Sequence, residues 1–172
     1  MEIVHTSVLL NECLAYLAPE TKPALMVDGT LGEGGHTEAF LTAFPDLRII
    51  GIDADARIQA RARERLAPFG DRILFHLGWS DGFFREYPAD QKRPDIILLD
   101  LGISLFHYEK SGLGFSFRTD EPLDMRLDPE SGESAADIVN TMKEEPLANL
   151  IYQYGEEQYS RRICLLYTSR RG

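Results

Sequence analysis

The chain has 172 residues, 44% hydrophobic and 27% charged. That balance fits one globular domain, or one domain with an insert, and excludes a disordered acidic tail, a collagen-like chain and a disulfide scaffold. Its net charge of −10 excludes a general basic surface for nucleic acid, whose non-specific affinity comes from Lys and Arg on phosphates.

The acidity is spread along the chain. Residues 1–106 carry 10 basic and 16 acidic side chains, and residues 107–172 carry 8 and 12. Any nucleic-acid contact is therefore expected to be local or supplied through a partner. No basic stretch precedes an apolar core at the N-terminus, so no signal peptide is expected. The central aliphatic run Ile96 to Leu99 has an aspartate at each end and is too short for a bilayer. A cytoplasmic protein without a membrane partner is expected. Cys13 and Cys164 show neither metal spacing nor a disulfide framework.

In chain order, a first helix is predicted with Thr6 or Ser7 as cap, a stripe of Leu10, Leu14 and Leu17, and a stop at Pro19 and Pro23. Four apolar runs follow: Leu25 to Asp28, Arg48 to Asp53, Ile73 to Leu77 and Asp95 to Asp100. Their continuous apolarity predicts strands buried on both faces, as in a parallel sheet. Helices are predicted between them, from Gly35 to Phe44 before Pro45, and from Asp55 to Leu66. In the latter, Asp55 is the cap and Ile58, Ala62 and Leu66 form the apolar side. This alternation predicts a doubly wound, Rossmann-like α/β sheet with ligands at the carboxyl ends of the strands, where Asp28, Asp53 and Asp100 fall.

Beyond Asp100 the texture changes. Residues 102–133 are rich in Gly, Ser, Asp and Pro without a period, and helices are predicted near Ser134–Met142 and Pro146–Tyr154. Pro146 suits a first turn and Gly155 a C-terminal cap. This half is predicted to be a mostly helical insert with a long functional loop before it.

The first chemical signal is Asp28-Gly29-Thr30-Leu31-Gly32-Glu33-Gly34-Gly35-His36. Glycines let backbone approach a ligand, and the helix that follows favours negative charge at its amides. The spacing departs from the dinucleotide fingerprint G-x-G-x-x-G, and an ordinary strand-to-helix turn is the plain alternative. Asp53, 25 residues after Asp28, ends the second strand, where an acid accepts both ribose hydroxyls. Loop and acid together point to a nucleoside cofactor, NAD or S-adenosylmethionine. Glu33 inside the loop disfavours a pyrophosphate and tolerates a zwitterionic amino acid. Trp79, after the third strand, is an adenine-stacking candidate or a core or rim aromatic. Asp100 either holds an N–H of a methyl acceptor, holds cofactor, or caps its strand. Arg57, Arg61 and Arg65 form a basic stripe that reads as a solvated face.

Several strings give the chain a resemblance. His5-Thr6-Ser7-Val8-Leu9-Leu10, the glycine turn, Leu98-Leu99-Asp100-Leu101-Gly102-Ile103-Ser104, Gly114 to Asp128 with its GFSF and PLDMR strings, and Tyr154-Gly155-Glu156-Glu157 resemble the MraW family of ribosomal RNA small-subunit methyltransferases, from about His5 to Ile163. The resemblance implies a class I methyltransferase using S-adenosyl-L-methionine. It also implies methylation of N4 of a cytosine in the decoding region of 16S ribosomal RNA, with the small ribosomal subunit as partner. The implied cofactor contacts are Gly34, Gly35, His36, Asp53, Trp79, Asp100 and His107. Many relatives have Ser-Ser-Pro-Gln where this chain has Ser104-Leu105-Phe106-His107, and histidine can replace the hydrogen bonding of glutamine.

The segment from Phe106 to Asp128 is the candidate for RNA and base handling. Phe106, Tyr108, Phe115 and Phe117 offer stacking faces, and Arg118 and Arg126 offer phosphate or cation–π contacts. The alternative is that Phe115 and Phe117 anchor the loop in a core. Residues 164–172 depart from the family's continuing helix, and strands completing the sheet do not follow. The expectation is therefore a Rossmann-like domain over 1–106, a partial substrate loop and helical insert over 107–163, and an atypical tail. A truncated copy of this kind should expose apolar faces and be poorly soluble and weakly active. Three functions stay open: an RNA cytosine-N4 methyltransferase, an S-adenosylmethionine enzyme acting on a protein or small molecule, and an inactive fragment.

Overall fold

The structure, a computed structural model, describes residues 7–168. These residues form two compact units, one ending at Leu105 and the other beginning at Phe106.

The first unit begins with α1 (Leu10–Tyr16), followed by β1 (Ala24–Asp28), α2 (Gly35–Ala43), β2 (Leu47–Asp53) and α3 (Ala56–Leu66). A 3-10 segment (Ala67–Arg72), β3 (Ile73–Leu77), α4 (Ser80–Arg85) and β4 (Ile96–Leu98) complete it. The strands are all parallel and lie in the order β3-β2-β1-β4. The predicted doubly wound sheet is therefore present with four strands.

The apolar runs pack as their sequence demands. Met26, Val27, Ile49 and Ile52 are fully buried, and Phe40 and Leu41 of α2 share one core with Met26 and Ile49. Asp55 caps α3 by accepting from the Arg57 amide at 2.8 Å, and the predicted stripe Ile58, Ala62 and Leu66 is buried. That cap contributes on the order of 1 kcal/mol.

Four local expectations change. Leu9 in the left-handed region, not Ser7, stands at the N-cap of α1 and makes no side-chain cap, while Thr6 lies outside the described residues. Cys13, Leu14 and Leu17 carry α1 onto the core. β4 spans three residues rather than six. Burial on both faces holds for β1 but not for the outer strands, where Leu74, Leu77 and Ile97 are exposed. Only a central strand has neighbours on all sides.

The second unit contains α5 (Leu105–Glu109, whose first residue ends the first unit), α6 (Ala135–Thr141), α7 (Glu144–Gly155) and α8 (Ser160–Thr168). A capping box holds α6: Ser134 Oγ accepts from the Asp137 amide, and Asp137 accepts from the Ser134 amide at 3.0 Å. Pro146 sits in the first turn of α7, as predicted. The left-handed C-cap is Glu156, with Gly155 still helical, so the chain reverses one residue later than expected. Leu147, Ala148 and Cys164 form a small core with Ile138, Met142 and Ile151. α8 runs unbroken through Cys164, whose thiol is buried. Among the described residues, no helix is long and apolar enough to cross a membrane.

Candidate functional site

The candidate site lies where the parallel strands end. Chain order runs outward from β1 to β3 and then returns to β4 on the other side of β1, so the switch point falls between β1 and β4. Ligands of open α/β sheets gather there.

The register sets the heights of the acids. Asp28 pairs with Gly51 of β2 and with Leu98 of β4. Asp53 and Asp100 thus each stand two residues beyond the level of Asp28, one on either side of β1. The glycine loop rises between them. Gly32 N donates to Asp53 Oδ2 at 2.9 Å, and Leu31 N donates to Ile52 O at 2.9 Å. On the other flank Gly29 N donates to Leu98 O at 2.9 Å, and Asp100 N donates to Thr30 Oγ1 at 2.7 Å. Gly78 N donates to Asp53 O at 2.9 Å, which brings the segment before Trp79 to the same rim. Trp79 itself is 58% exposed at the N-cap of α4.

The floor of the loop is a buried carboxylate. Asp28 is 1% exposed; Thr37 donates to its Oδ2 at 2.7 Å and the Thr30 amide to its Oδ1 at 3.2 Å. Burial raises its pKa above the ordinary aspartate value, and the Thr37 and Thr30 bonds partly oppose that rise. Asp28 is sealed beneath the loop, so its role is to shape it.

Asp53 is fixed by two backbone donors, Gly32 N on Oδ2 and Asp55 N at 2.8 Å on Oδ1. A carboxylate offers about four lone-pair sites, so these bonds orient it without exhausting it. Gly34, with φ of 83°, is the N-cap of α2. A Cβ there would lie 2.9 Å from Leu66 Cδ1, so loop and α3 touch at a point only glycine allows. The amides of Gly35, His36 and Thr37 open α2 and have no acceptor within the helix. The His36 ring is buried, and its Nε2 donates to Val8 O at 2.9 Å. Its side chain is thus committed to the segment before α1.

The Arg stripe is not simply a solvated face. Arg57 binds Asp55, Arg61 NH1 donates to Glu33 Oε1 at 2.8 Å, and Arg65 Nε donates to Glu38 Oε2 at 2.6 Å. Glu33, read from sequence as an acid disfavouring pyrophosphate, is therefore charge-paired. The acids left on the rim are Asp53 and Asp100.

Of the predicted contacts, the first unit brings together Gly34, Gly35, His36, Asp53, Trp79 and Asp100. His107 belongs to the second unit, where its ring is buried at 5.8 Å from Phe106 and 5.3 Å from Phe115. The loop aromatics divide. Phe115 is half-buried on His107, and Phe117 is 101% exposed. Arg126 is held by Asp124 at 2.6 and 2.8 Å, and Asp124 also positions the Arg126 amide. Sequence reasoning missed Thr30, Thr37 and Arg61. Thr30 had a signal in the Asp-x-Thr spacing of an Asx turn. The pairings of Thr37 with Asp28 and of Arg61 with Glu33 cross the fold and leave none. Among the described residues, no cluster of His, Cys, Asp and Glu could hold a metal.

Residues 2–171 match the MraW methylase family. The chain is 66% identical over 164 residues to the ribosomal RNA small subunit methyltransferase H of Treponema denticola, covering 95% of this chain and 52% of that protein. Against the protein of the same name from Treponema pallidum it is 42% identical over 195 residues, covering 94% and 52%. Against that of Mycolicibacterium smegmatis it is 45% identical over 168 residues, covering 93% and 45%. The chain spans about half the length of these curated relatives.

Proposed function

The chain belongs to the MraW methylase family, and on that premise we propose that it binds S-adenosylmethionine and serves methyl transfer to N4 of a cytosine in the decoding region of 16S ribosomal RNA. The observation that carries the proposal is the glycine loop stitched between Asp53 and Asp100 at the switch point of the sheet.

The residues at the rim fit such a nucleoside by chemistry. Asp53, pre-oriented by Gly32 N and Asp55 N, accepts from ribose hydroxyls. The exposed indole of Trp79 offers a face to adenine. The first amides of α2, from Gly35 and His36, receive a carboxylate. Asp100, exposed beyond β4, accepts an N–H, either from the amino-acid tail or from the acceptor amine. When bound, S-adenosylmethionine supplies a methyl on a positively charged sulfur.

An exocyclic amine is a poor nucleophile because its lone pair is delocalised into the ring. A carboxylate such as Asp100 holding one N–H would keep electron density on nitrogen; the methyl would pass from sulfur to nitrogen, the S–C bond breaking to leave a neutral thioether and the amine proton passing to the carboxylate or to water. Beyond that, alignment of the two reactants carries the rate. In the second unit, exposed Phe117 beside Arg118 offers a stacking face next to a cation, which suits an unstacked base of RNA. His107, buried beneath Phe115, supports that loop.

Two measurements test the proposal. Calorimetry of the 172-residue chain with S-adenosylmethionine and with NAD should show binding of the former alone. Labelled-methyl transfer should place label in 16S ribosomal RNA of small subunits and not in protein or free metabolites. NAD binding alone, or label on another substrate class, overturns it.

A further inference from the structure

The glycine loop carries a charge that its proposed ligand would meet. Glu33 stands between Gly32 and Gly34, whose φ values of 54° and 83° lie in the left-handed region that favours glycine. It immediately precedes the turn that opens α2. A free carboxylate at this place would repel a ligand carboxylate arriving at the α2 amides and would offset the positive end of the helix.

α3 answers both problems. Arg61 and Arg65, one turn apart, grip Glu33 of the loop and Glu38 of α2 at 2.8 and 2.6 Å. Between these grips Gly34 lies against Ala62 and Leu66 of α3. The Arg61 and Glu33 side chains are 44% and 27% exposed, so the pair is screened only in part.

We propose that Arg61 is a positioning residue of the nucleoside site: its guanidinium holds Glu33 away from the α2 amides and cancels its charge, so that the loop accepts a ligand bearing an amino-acid carboxylate. The inference rests on the S-adenosylmethionine reading and adds to it a residue outside the glycine and aspartate signature. It also separates two kinds of adenosyl ligand. A nucleoside with the amino-acid tail should depend on Arg61, whereas a nucleoside without it should not.

The test is calorimetry on the full 172-residue chain with two probes, S-adenosylmethionine and 5′-methylthioadenosine, which lacks the amino-acid tail. R61A should raise Kd for S-adenosylmethionine about three- to fivefold at low salt, and less at high salt, as expected for one partly screened charge. It should leave Kd for methylthioadenosine unchanged. E33Q placed on R61A should restore most of the lost affinity, because no unpaired charge remains, and so should the swap E33R with R61E. Far-UV circular dichroism and the melting temperature report folding of each variant. Equal weakening of both ligands assigns Arg61 a merely structural role and overturns the inference. So does an R61A chain that binds S-adenosylmethionine normally, or one that E33Q fails to rescue. If the unsubstituted chain binds neither probe, the S-adenosylmethionine reading itself falls and the inference falls with it.

Discussion

Thr37→Val tests whether the buried acid under the loop is held as described. Thr37 is 0% exposed, and its hydroxyl donates to Asp28 Oδ2 at 2.7 Å. Valine keeps the shape and removes the donor. A hydrogen bond to a charged group contributes about 1.5–3 kcal/mol, so a loss of about 2 kcal/mol is expected. In a chain of this size that corresponds to a fall in Tm of roughly 4–8 °C. The loss should depend on pH with a definite sign. Burial raises the pKa of Asp28, and the Thr37 bond is the largest opposing cause. Removing it raises the folded-state pKa further while the unfolded value stays put. A group raised in the fold favours the fold when protonated. Its contribution is present below the unfolded pKa and is lost as pH rises through the folded one. The variant's deficit should therefore be largest near neutrality and shrink on acidification. Denaturant unfolding followed by circular dichroism between about pH 8 and about pH 4.5 brackets that change. A deficit that stays constant with pH, or one below about 0.5 kcal/mol, refutes the account of Asp28 as a strained, hydrogen-bonded carboxylate.

Three further outcomes are expected. Asp53→Ala should weaken S-adenosylmethionine binding by about 1–3 kcal/mol through lost hydrogen bonds; unchanged affinity in calorimetry removes Asp53 from the site. Gly34→Ala should destabilise the first unit by about 1–2 kcal/mol, because φ of 83° is costly for a residue with a Cβ. The added carbon would also press Leu66 at 2.9 Å. An unchanged melting temperature contradicts that reading. Asp95 accepts from Lys92 Nζ at 2.8 Å, Leu25 N at 2.7 Å and Thr21 Oγ1 at 2.9 Å, and these bonds, Lys92 first, lower its pKa to about 2. Its contribution is present above the unfolded aspartate value and is lost as pH falls toward 2; an NMR titration midpoint near the ordinary value of about 3.9 refutes the tie.

Much of the first unit was legible because its signals are local. A strand's bounds follow its apolar run, and Ile73–Leu77 reads the same in sequence and structure. Asp55 announces α3 because a cap acts on the next amides. Asp28, Asp53 and the glycines were visible because an acid closing an apolar run and a glycine-rich turn after it are local signals of a strand end. What escaped notice is non-local or short. Leu9 took the cap of α1 because the chain turns there through a left-handed residue, which no polar cap signals. The exposure of Leu74 and Ile97 depends on what covers each face, and apolarity alone does not carry that information. Phe115 and Phe117 have identical side chains and opposite environments, set by the fold of the loop around Gly114 and Glu121.

The acidity of the rim bears on the choice between the two nucleoside ligands. Asp28 is buried and Glu33 is paired, so neither reaches outward as a free charge. Asp53 and Asp100 remain, two residues above Asp28 on opposite flanks of the loop. Two like charges about 6 Å apart near a protein surface cost roughly 2–3 kcal/mol. A pyrophosphate with two negative charges at this rim would meet such a cost, offset by the α2 amides. A sulfonium with a zwitterionic tail brings one ammonium and one sulfonium against its single carboxylate, so the same two acids become attractive. On the proposed function, the pairing of Glu33 with Arg61 protects the carboxylate of such a ligand, while Asp53 takes the ribose hydroxyls and Asp100 faces the cationic groups.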